Sequence, residues 1–96
     1  MNPLEKNIEN QIKRYLDSIG AYHIKTHGSV YSRAGVPDLI ACINGHFVGI
    51  EVKRPKGIVS ELQKMNISMI EKAGGEAFVA YSVDDVKKEL QQRHVI

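Results

Sequence analysis

The stretch that decides the fold is GVPDLIACINGHFVGIEVK, which spans residues 35–53. It holds two apolar runs separated by Asn44-Gly45, and Asn-Gly favours a two-residue turn because both positions need a positive φ. The stretch therefore predicts an antiparallel β-hairpin. Pairing outward from this turn brings Asp38, at the start of the first strand, opposite Glu51, near the end of the second.

Helical and extended patterns surround the hairpin in the order α-β-β-β-α-β-α. We expect a helix over residues 3–19 after the cap Asn2, strands over 21–26, 37–43, 46–53 and 77–81, a helix from Ser60 to about Lys72, and a last helix from Ser82 through Leu90. The segments 27–36 and 54–59 predict loops because they are rich in Gly, Ser or Pro. A chain of 96 residues has room for one α/β domain, which we expect to span residues 1–96.

The composition is that of an ordinary globular protein, with 43% hydrophobic and 25% charged residues and a formal net charge of +2. The N-terminus lacks a signal-like apolar run, and no stretch approaches the length that spans a membrane. We therefore expect a soluble, cytoplasmic protein. The single cysteine, Cys42, lies within an apolar run and is expected to be a small buried side chain.

Three charged groups converge at one end of the predicted hairpin. Glu51 and Lys53 share a face because side chains alternate along a strand, and Asp38 lies across from Glu51. Charged side chains in such apolar strands are costly unless they are paired or bind a metal ion. An ion pair alone explains a lysine beside a glutamate, but the aspartate opposite them favours a divalent-metal site.

Two neighbouring carboxylates suit Mg²⁺, a hard cation that takes oxygen ligands and keeps several waters. The backbone carbonyl of Val52 is a further candidate ligand, and Lys53 is placed to orient a water or to stabilise charge on a phosphate. A third carboxylate is expected from the first helix, where Glu5 and Glu9 lie one turn apart at one edge of the apolar stripe. The helical pattern does not decide which of the two glutamates enters the site.

Three strings carry a resemblance to a known family: GVPDLIA from residue 35, GHFVGIEVKRPKG from residue 45, and SELQ from residue 60. With them the chain resembles the VRR-NUC family of the PD-(D/E)XK nuclease superfamily, from the first helix to the last strand. The resemblance implies an αβββαβ core, a mixed sheet flanked by helices, and hydrolysis of phosphodiester bonds with Mg²⁺ or Mn²⁺ as cofactor. By motif position, it implies that Asp38 and Glu51 bind the metal, that Lys53 is the catalytic lysine, and that Gln63 lies near the site.

The helix acid, the substrate and the assembly also follow from the resemblance. Spacing to Gly20 in similar junction resolvases favours Glu9 over Glu5. Stand-alone members associated with phages resemble archaeal Holliday junction resolvases, which are homodimers that act on four-way junctions. The resemblance therefore implies a phage- or bacterial-type homodimer that binds branched DNA, because two symmetric sites can face two strands.

Basic and hydroxyl side chains near the site are expected to contact the DNA backbone. They are Arg33, Arg54 and Lys56, with Ser29 and Tyr31 in the loop before the hairpin. Two other functions share this scaffold: a flap or restriction-type nuclease, which differs in the shape of its DNA, and a non-catalytic DNA-binding module. The intact set of Asp38, Glu51 and Lys53 argues against the module, because a pure binder has no need for two repelling carboxylates.

Overall fold

The computed structural model describes residues 2–26 and 33–96, and these form seven elements in the predicted order. The helices are α1 (Pro3–Ser18), α2 (Glu61–Lys72) and α3 (Val83–Gln92), and the strands are β1 (Tyr22–Lys25), β2 (Leu39–Ile43), β3 (His46–Val52) and β4 (Glu76–Ala80). The predicted α/β class is confirmed. Because β2 begins two residues later and β3 ends one residue earlier than predicted, Asp38 and Lys53 flank the paired strands.

The helices start at the predicted capping residues. The side chain of Asn2 accepts a hydrogen bond from the Leu4 N–H at 2.8 Å, with proline in the first turn where its missing N–H is harmless. Ser60 and Gln63 form a capping box, in which each side chain accepts from the other residue's N–H. Ser82 caps α3 by accepting from the Asp85 N–H at 3.1 Å. These bonds fix where each helix begins relative to the sheet.

The four strands form one mixed sheet in the order β1-β2-β3-β4. β1, β2 and β3 pair antiparallel, whereas β3 and β4 pair parallel and are joined by the crossover helix α2. The hairpin turn has the predicted geometry, with φ of 51° at Asn44 and 83° at Gly45. The register, from Ile43 opposite His46 to Leu39 opposite Ile50, is the one that the sequence predicts.

The core lies on one face of the sheet, beneath α1 and α3. It is built from alternate strand positions and from one stripe of each of these helices: Ile8, Ile12, Leu16, Leu39, Ala41, Ile43, Val48, Ile50, Val52, Phe78, Ala80, Val86, Leu90 and Val95. The helix α2 covers the opposite face, where a Cβ added at Gly49 would meet Pro37 at 3.1 Å and Ile70 at 3.2 Å. Within the described ranges, no helix is both long and apolar enough to cross a membrane.

The prediction that Cys42 is buried is wrong. Alternation along β2 places Leu39, Ala41 and Ile43 on the core face, so Cys42 lies on the other face. Its partner across the hairpin, Phe47, is 49% exposed, which shows that the sheet is open there. An apolar run identified Cys42 as a strand residue but did not reveal which face would be covered.

The turn before Asp38 packs closely against α2. Gly35 has a φ of +83°, and a Cβ at this position would come within 2.6 Å of the Leu62 side chain and 2.8 Å of the Asn66 amide. Only glycine allows both this backbone conformation and this approach. The helix therefore holds the segment that leads into the first strand of the hairpin.

Substituting Gly35 with alanine tests this packing. Gly35→Ala is expected to lower the free energy of unfolding by on the order of 3 kcal/mol, because steric overlap adds to the cost of a positive φ. The matched control is Gly20→Ala, where φ is +74° but nothing lies within 4 Å, so only the conformational cost of ~1–2 kcal/mol applies. Urea unfolding measures both variants. Equal losses would show that the contact with α2 contributes nothing.

Candidate active site

The open end of the hairpin brings Asp38 to the end of β3. Asp38 precedes β2 by one residue, and its Oδ2 accepts a hydrogen bond from the Val52 N–H at 2.8 Å. This bond continues the hairpin beyond the last paired residues, Leu39 and Ile50. The carboxylate is therefore held by the backbone of the strand that carries Glu51 and Lys53.

Glu51 lies at the centre of the site and is only 2% exposed. Its Oε2 accepts a hydrogen bond from Gln63 Nε2 at 3.3 Å and lies 3.9 Å from the Nζ of Lys53. Burial, with a further contribution from neighbouring Asp38, raises the pKa of Glu51 to about 9, against the opposing effect of Lys53. A carboxyl group with such a pKa retains its proton at neutral pH until a cation replaces it.

Lys53 follows β3 directly and is anchored through its backbone. Its N–H donates to the Ala80 carbonyl of β4 at 3.0 Å, and its side chain is 14% exposed. Because alternate residues share a face, Lys53 projects on the same side of the sheet as Glu51. Its ammonium group can therefore act on a phosphate that reaches this end of the hairpin.

The backbone carbonyl of Val52 also points toward the site. The N–H and C=O of one residue in an extended strand point to the same side, and successive residues point to opposite sides. The Val52 N–H points to Asp38, whereas the N–H of Lys53 points to β4. The Val52 carbonyl is therefore directed to the Asp38 side, as a ligand from this strand requires.

Of the two helix acids, the structure places Glu5 beside the hairpin end. Its Oε1 accepts from the backbone N–H of Arg54 at 3.4 Å and lies 3.8 Å from the guanidinium of the same residue. The charge of Glu5 also contributes to the raised pKa of Glu51. Glu5 lies there because the N-terminal turn of α1 is the part of that helix beside the end of the hairpin.

Glu9, which the resemblance favours as the helix acid, lies elsewhere. It is fully buried, and its Oε2 lies 3.1 Å from the Nζ of Lys13 and 3.2 Å from that of Lys25. Lys25 pairs with Leu39, a core-face residue, so Glu9 lies on the α1 side of the sheet. The structure thus places Glu5 against Arg54 at the end of the hairpin and Glu9 against two lysines, because spacing along a helix does not fix which turn meets the strand ends.

Gln63 uses both ends of its side-chain amide. Its Oε1 accepts from the Ser60 N–H at 2.9 Å to complete the capping box, while its Nε2 donates to Glu51. Gln63 therefore helps to cap α2 and also orients the buried carboxyl group of Glu51. The sequence predicted the helix cap at Ser60 and the place of Gln63 near the site separately, and the structure shows that one side chain serves both.

The predicted DNA-contacting residues differ in their surroundings. Arg54 and Lys56 are exposed in the loop after β3, beside the site. Arg33 lines a groove of about 750 Å³ with apolar side chains of the α2 face, Pro37 and Ile70 among them. Ser29 and Tyr31 lie outside the described residues.

One residue that sequence reasoning missed supports Asp38 from β1. The N–H of Thr26 donates to the Asp38 carbonyl at 3.0 Å, and its Oγ1 donates to the Pro37 carbonyl at 2.5 Å. These bonds fix the Pro37-Asp38 segment to the neighbouring strand. A threonine at the end of a predicted strand gives no signal of this role, which depends on the register between β1 and β2.

The donor set at the hairpin end consists of two side-chain carboxyl groups, Asp38 and Glu51, and one backbone carbonyl. In residues 2–26 and 33–96, no three His, Cys, Asp or Glu side chains come together as metal ligands. Two carboxylates fit a cation that retains most of its waters, as Mg²⁺ does. They do not fit a zinc site, which takes three or four protein ligands.

Comparison with known proteins identifies the family of this fold. The profile of the VRR-NUC domain matches residues 4–84. The chain belongs to the VRR-NUC family. A solved structure described as a VRR_NUC domain is 24% identical, with a TM-score of 0.79, and the alignment covers 97% of this chain and 99% of that one. A VRR_NUC domain protein is 25% identical, with a TM-score of 0.70 and coverage of 96% and 88%. No curated protein matches the chain.

Membership in the VRR-NUC family identifies the chain as a nuclease domain. The match begins at residue 4 and ends at residue 84, so it includes the helix that carries Glu5, the whole hairpin and the helix that carries Gln63. The mixed sheet and flanking helices implied by the sequence are those of the solved VRR-NUC structures.

The raised pKa of Glu51 predicts how the stability of this VRR-NUC domain depends on pH. Without metal, the folded chain keeps a proton on Glu51 that the unfolded chain loses above its ordinary pKa of 4.5. The free energy of unfolding of the wild type, relative to Glu51→Gln, should therefore fall as the pH rises from 4.5 toward 9. The slope is at most ~1.4 kcal/mol per pH unit.

Denaturant unfolding in a chelating buffer at several pH values measures this difference. The exposed Glu61→Gln provides the control, and its stability should follow that of the wild type across the range. If the curves of wild type and Glu51→Gln stay parallel from acid to alkaline pH, Glu51 has an ordinary pKa in the folded chain.

Proposed function

We propose that this chain is a divalent-metal-dependent endodeoxyribonuclease that hydrolyses phosphodiester bonds in branched DNA, four-way junctions in particular, as a homodimer. The observation that carries the proposal is that Asp38, Glu51 and Lys53 lie together at one end of an apolar hairpin. Burial and the neighbouring Asp38 disfavour the ionised form of Glu51, which raises its pKa to about 9. A divalent cation that displaces the proton of Glu51 would stabilise the two neighbouring carboxylates.

Asp38, Glu51 and the Val52 carbonyl are the groups that would hold Mg²⁺ or Mn²⁺, with Glu5 as a further acid beside the end of the hairpin. When bound, such an ion neutralises charge on a phosphoryl oxygen and makes a bound water more acidic. The fit rests on the chemistry of the donors, all of them oxygens, and on a site that holds two carboxyl groups side by side.

The remaining residues bind and orient. The Lys53 ammonium is proposed to contact the phosphate and the attacking water, where it stabilises the negative charge that develops as water attacks phosphorus and the P–O bond breaks. Gln63 keeps the Glu51 carboxyl group turned toward the site. Arg54 and Lys56 are placed to contact neighbouring phosphates, and Arg33, Ser29 and Tyr31 are further candidates for backbone contact.

The branched substrate and the dimer rest on the likeness of small stand-alone family members to junction resolvases. A two-fold dimer would present two sites to two strands, which matches the approximate symmetry of a four-way junction. With cellular or phage DNA as substrate, the proposed place of action is the cytoplasm.

Cleavage assays on Lys53→Ala test the chemistry. Loss of the ammonium group is expected to reduce cleavage by about a hundredfold or more, because charge on the phosphate is no longer stabilised. The control is Lys64→Ala, which removes an exposed lysine paired with the exposed Glu61 and should cut like the wild type. Circular dichroism and urea unfolding confirm that both variants are folded. Full activity of Lys53→Ala would reject this mechanism.

The substrate class is tested with labelled four-way junctions, flaps, single strands and plain duplexes, each with Mg²⁺, with Mn²⁺ and with a chelator. We expect metal-dependent cleavage that is strongest on the junction. Equal cleavage of plain duplex contradicts junction specificity, and preference for a flap supports the flap nuclease. Binding with no cleavage of any substrate in either metal supports the non-catalytic module.

Sedimentation velocity tests the assembly. A homodimer at micromolar concentration is expected, with twice the mass of the chain. A monomer across this range would remove the two-fold argument for a junction, while leaving the chemistry of the single site intact.

A further inference from the structure

A second group of charges, on α1 and β1, is not used by the proposed chemistry. Glu9 is completely buried and contacts the ammonium groups of Lys13 and Lys25. Lys6, one turn before Glu9 on α1, lies beside Lys25, and contact with this second ammonium lowers the pKa of Lys6. We refer to Lys6, Lys13 and Lys25 as the lysine cluster.

The lysine cluster carries more positive charge than Glu9 requires. Three ammonium groups face one carboxylate, which leaves an excess of two positive charges (three minus one) in a small area. Although burial alone raises the pKa of Glu9, the neighbouring ammonium groups of Lys13 and Lys25 lower it below its ordinary value, so Glu9 is ionised. A single lysine would neutralise it, and each further lysine adds repulsion unless an anion binds.

Helix α1 places Lys6, Glu9 and Lys13 on one surface. Lys6 and Lys13 lie three residues before and four residues after Glu9, so all three share one face of the helix. Lys13 and Lys25 keep 27% and 24% of their side chains exposed although they contact a buried acid. Their charged ends therefore remain accessible to a ligand.

The strand that carries Lys25 lies two strands from the one that carries Glu51. Lys25 pairs with Leu39, and the next residue, Thr26, donates its N–H to the Asp38 carbonyl. β1 and β3 lie on either side of β2, and neighbouring strands are ~4.8 Å apart, which puts the backbone of Lys25 about 10 Å from that of Glu51. This backbone distance equals the axial rise of roughly three nucleotides of a DNA strand. Lys25 projects from the α1 face of the sheet, like Leu39, whereas Glu51 projects from the α2 face, like Gly49.

We propose that the lysine cluster is a second phosphate site, which holds the DNA backbone a few nucleotides from the cleaved bond. Glu9 acts as a positioning residue: it fixes two flexible lysine side chains before DNA arrives, which reduces the entropy lost on binding. The inference rests on the proposed DNA substrate. It assigns backbone contacts to α1 and β1, away from Arg33, Arg54 and Lys56.

The test is the salt dependence of DNA binding. Fluorescence anisotropy with a labelled four-way junction and a plain duplex, in a chelator so that nothing is cut, gives the affinity from about 50 to about 200 mM salt. Lys6→Ala is expected to weaken binding several-fold and to lower the log–log salt slope by about 1, because one phosphate contact is lost. Lys6 is the preferred position for this substitution because Glu9 keeps its ion pairs with Lys13 and Lys25.

The control is Lys88→Ala, which removes the same charge from an exposed position on α3, beside β4 at the other edge of the sheet. It should leave the salt slope unchanged. The double variant Glu9→Gln/Lys25→Gln removes an ammonium without leaving an unpaired buried acid and keeps the net charge, so a slope lower by about 1 identifies a contact rather than a general charge effect.

The outcomes separate this inference from the proposed function. If wild type binds DNA and the Lys6 and Glu9/Lys25 variants keep its salt slope, the phosphate site is rejected while the nuclease proposal stands. If the wild type binds no DNA at any salt concentration, the proposed function fails first. Urea unfolding of each variant identifies any loss of binding that comes from misfolding.

Discussion

The hydrogen bond from the Val52 N–H to the Asp38 carboxylate is the constraint on which the rest of the site depends. It lies where hairpin pairing ends, so a side chain takes the place of a backbone acceptor. The consequence is that Asp38 is fixed to the strand whose next side chains on that face are Glu51 and Lys53. Thr26 and Gly35 secure the same segment from the opposite direction, one through β1 and the other through α2.

The open end of the hairpin departs from the packing rule that the rest of the chain follows. Most of the chain follows the rule that apolar residues are buried and charges are exposed, but Glu51 is buried beside another acid. Such conflicts are expected at functional sites, where the remaining core must supply the missing stability. Here that core is the continuous apolar face beneath α1 and α3.

Most of the fold could be predicted because its decisive signals are local. The Asn44-Gly45 turn fixes a register, and a register fixes which residues oppose one another, so Asp38 and Glu51 follow from the sequence alone. The choice between Glu5 and Glu9 could not be made in this way, since it depends on how α1 is placed against the strand ends. The exposure of Cys42 and the role of Thr26 depend similarly on contacts between distant segments.

The two contacts of Gln63 have a consequence for which side chains position 63 can hold. The group there must accept a hydrogen bond from Ser60 and donate one to Glu51 at the same time. Ionised glutamate accepts but cannot donate, lysine donates but cannot accept, and asparagine is one carbon shorter. Among these side chains only glutamine combines both functions at this reach, so a single planar amide links the first turn of a helix to the orientation of a carboxyl group on the sheet.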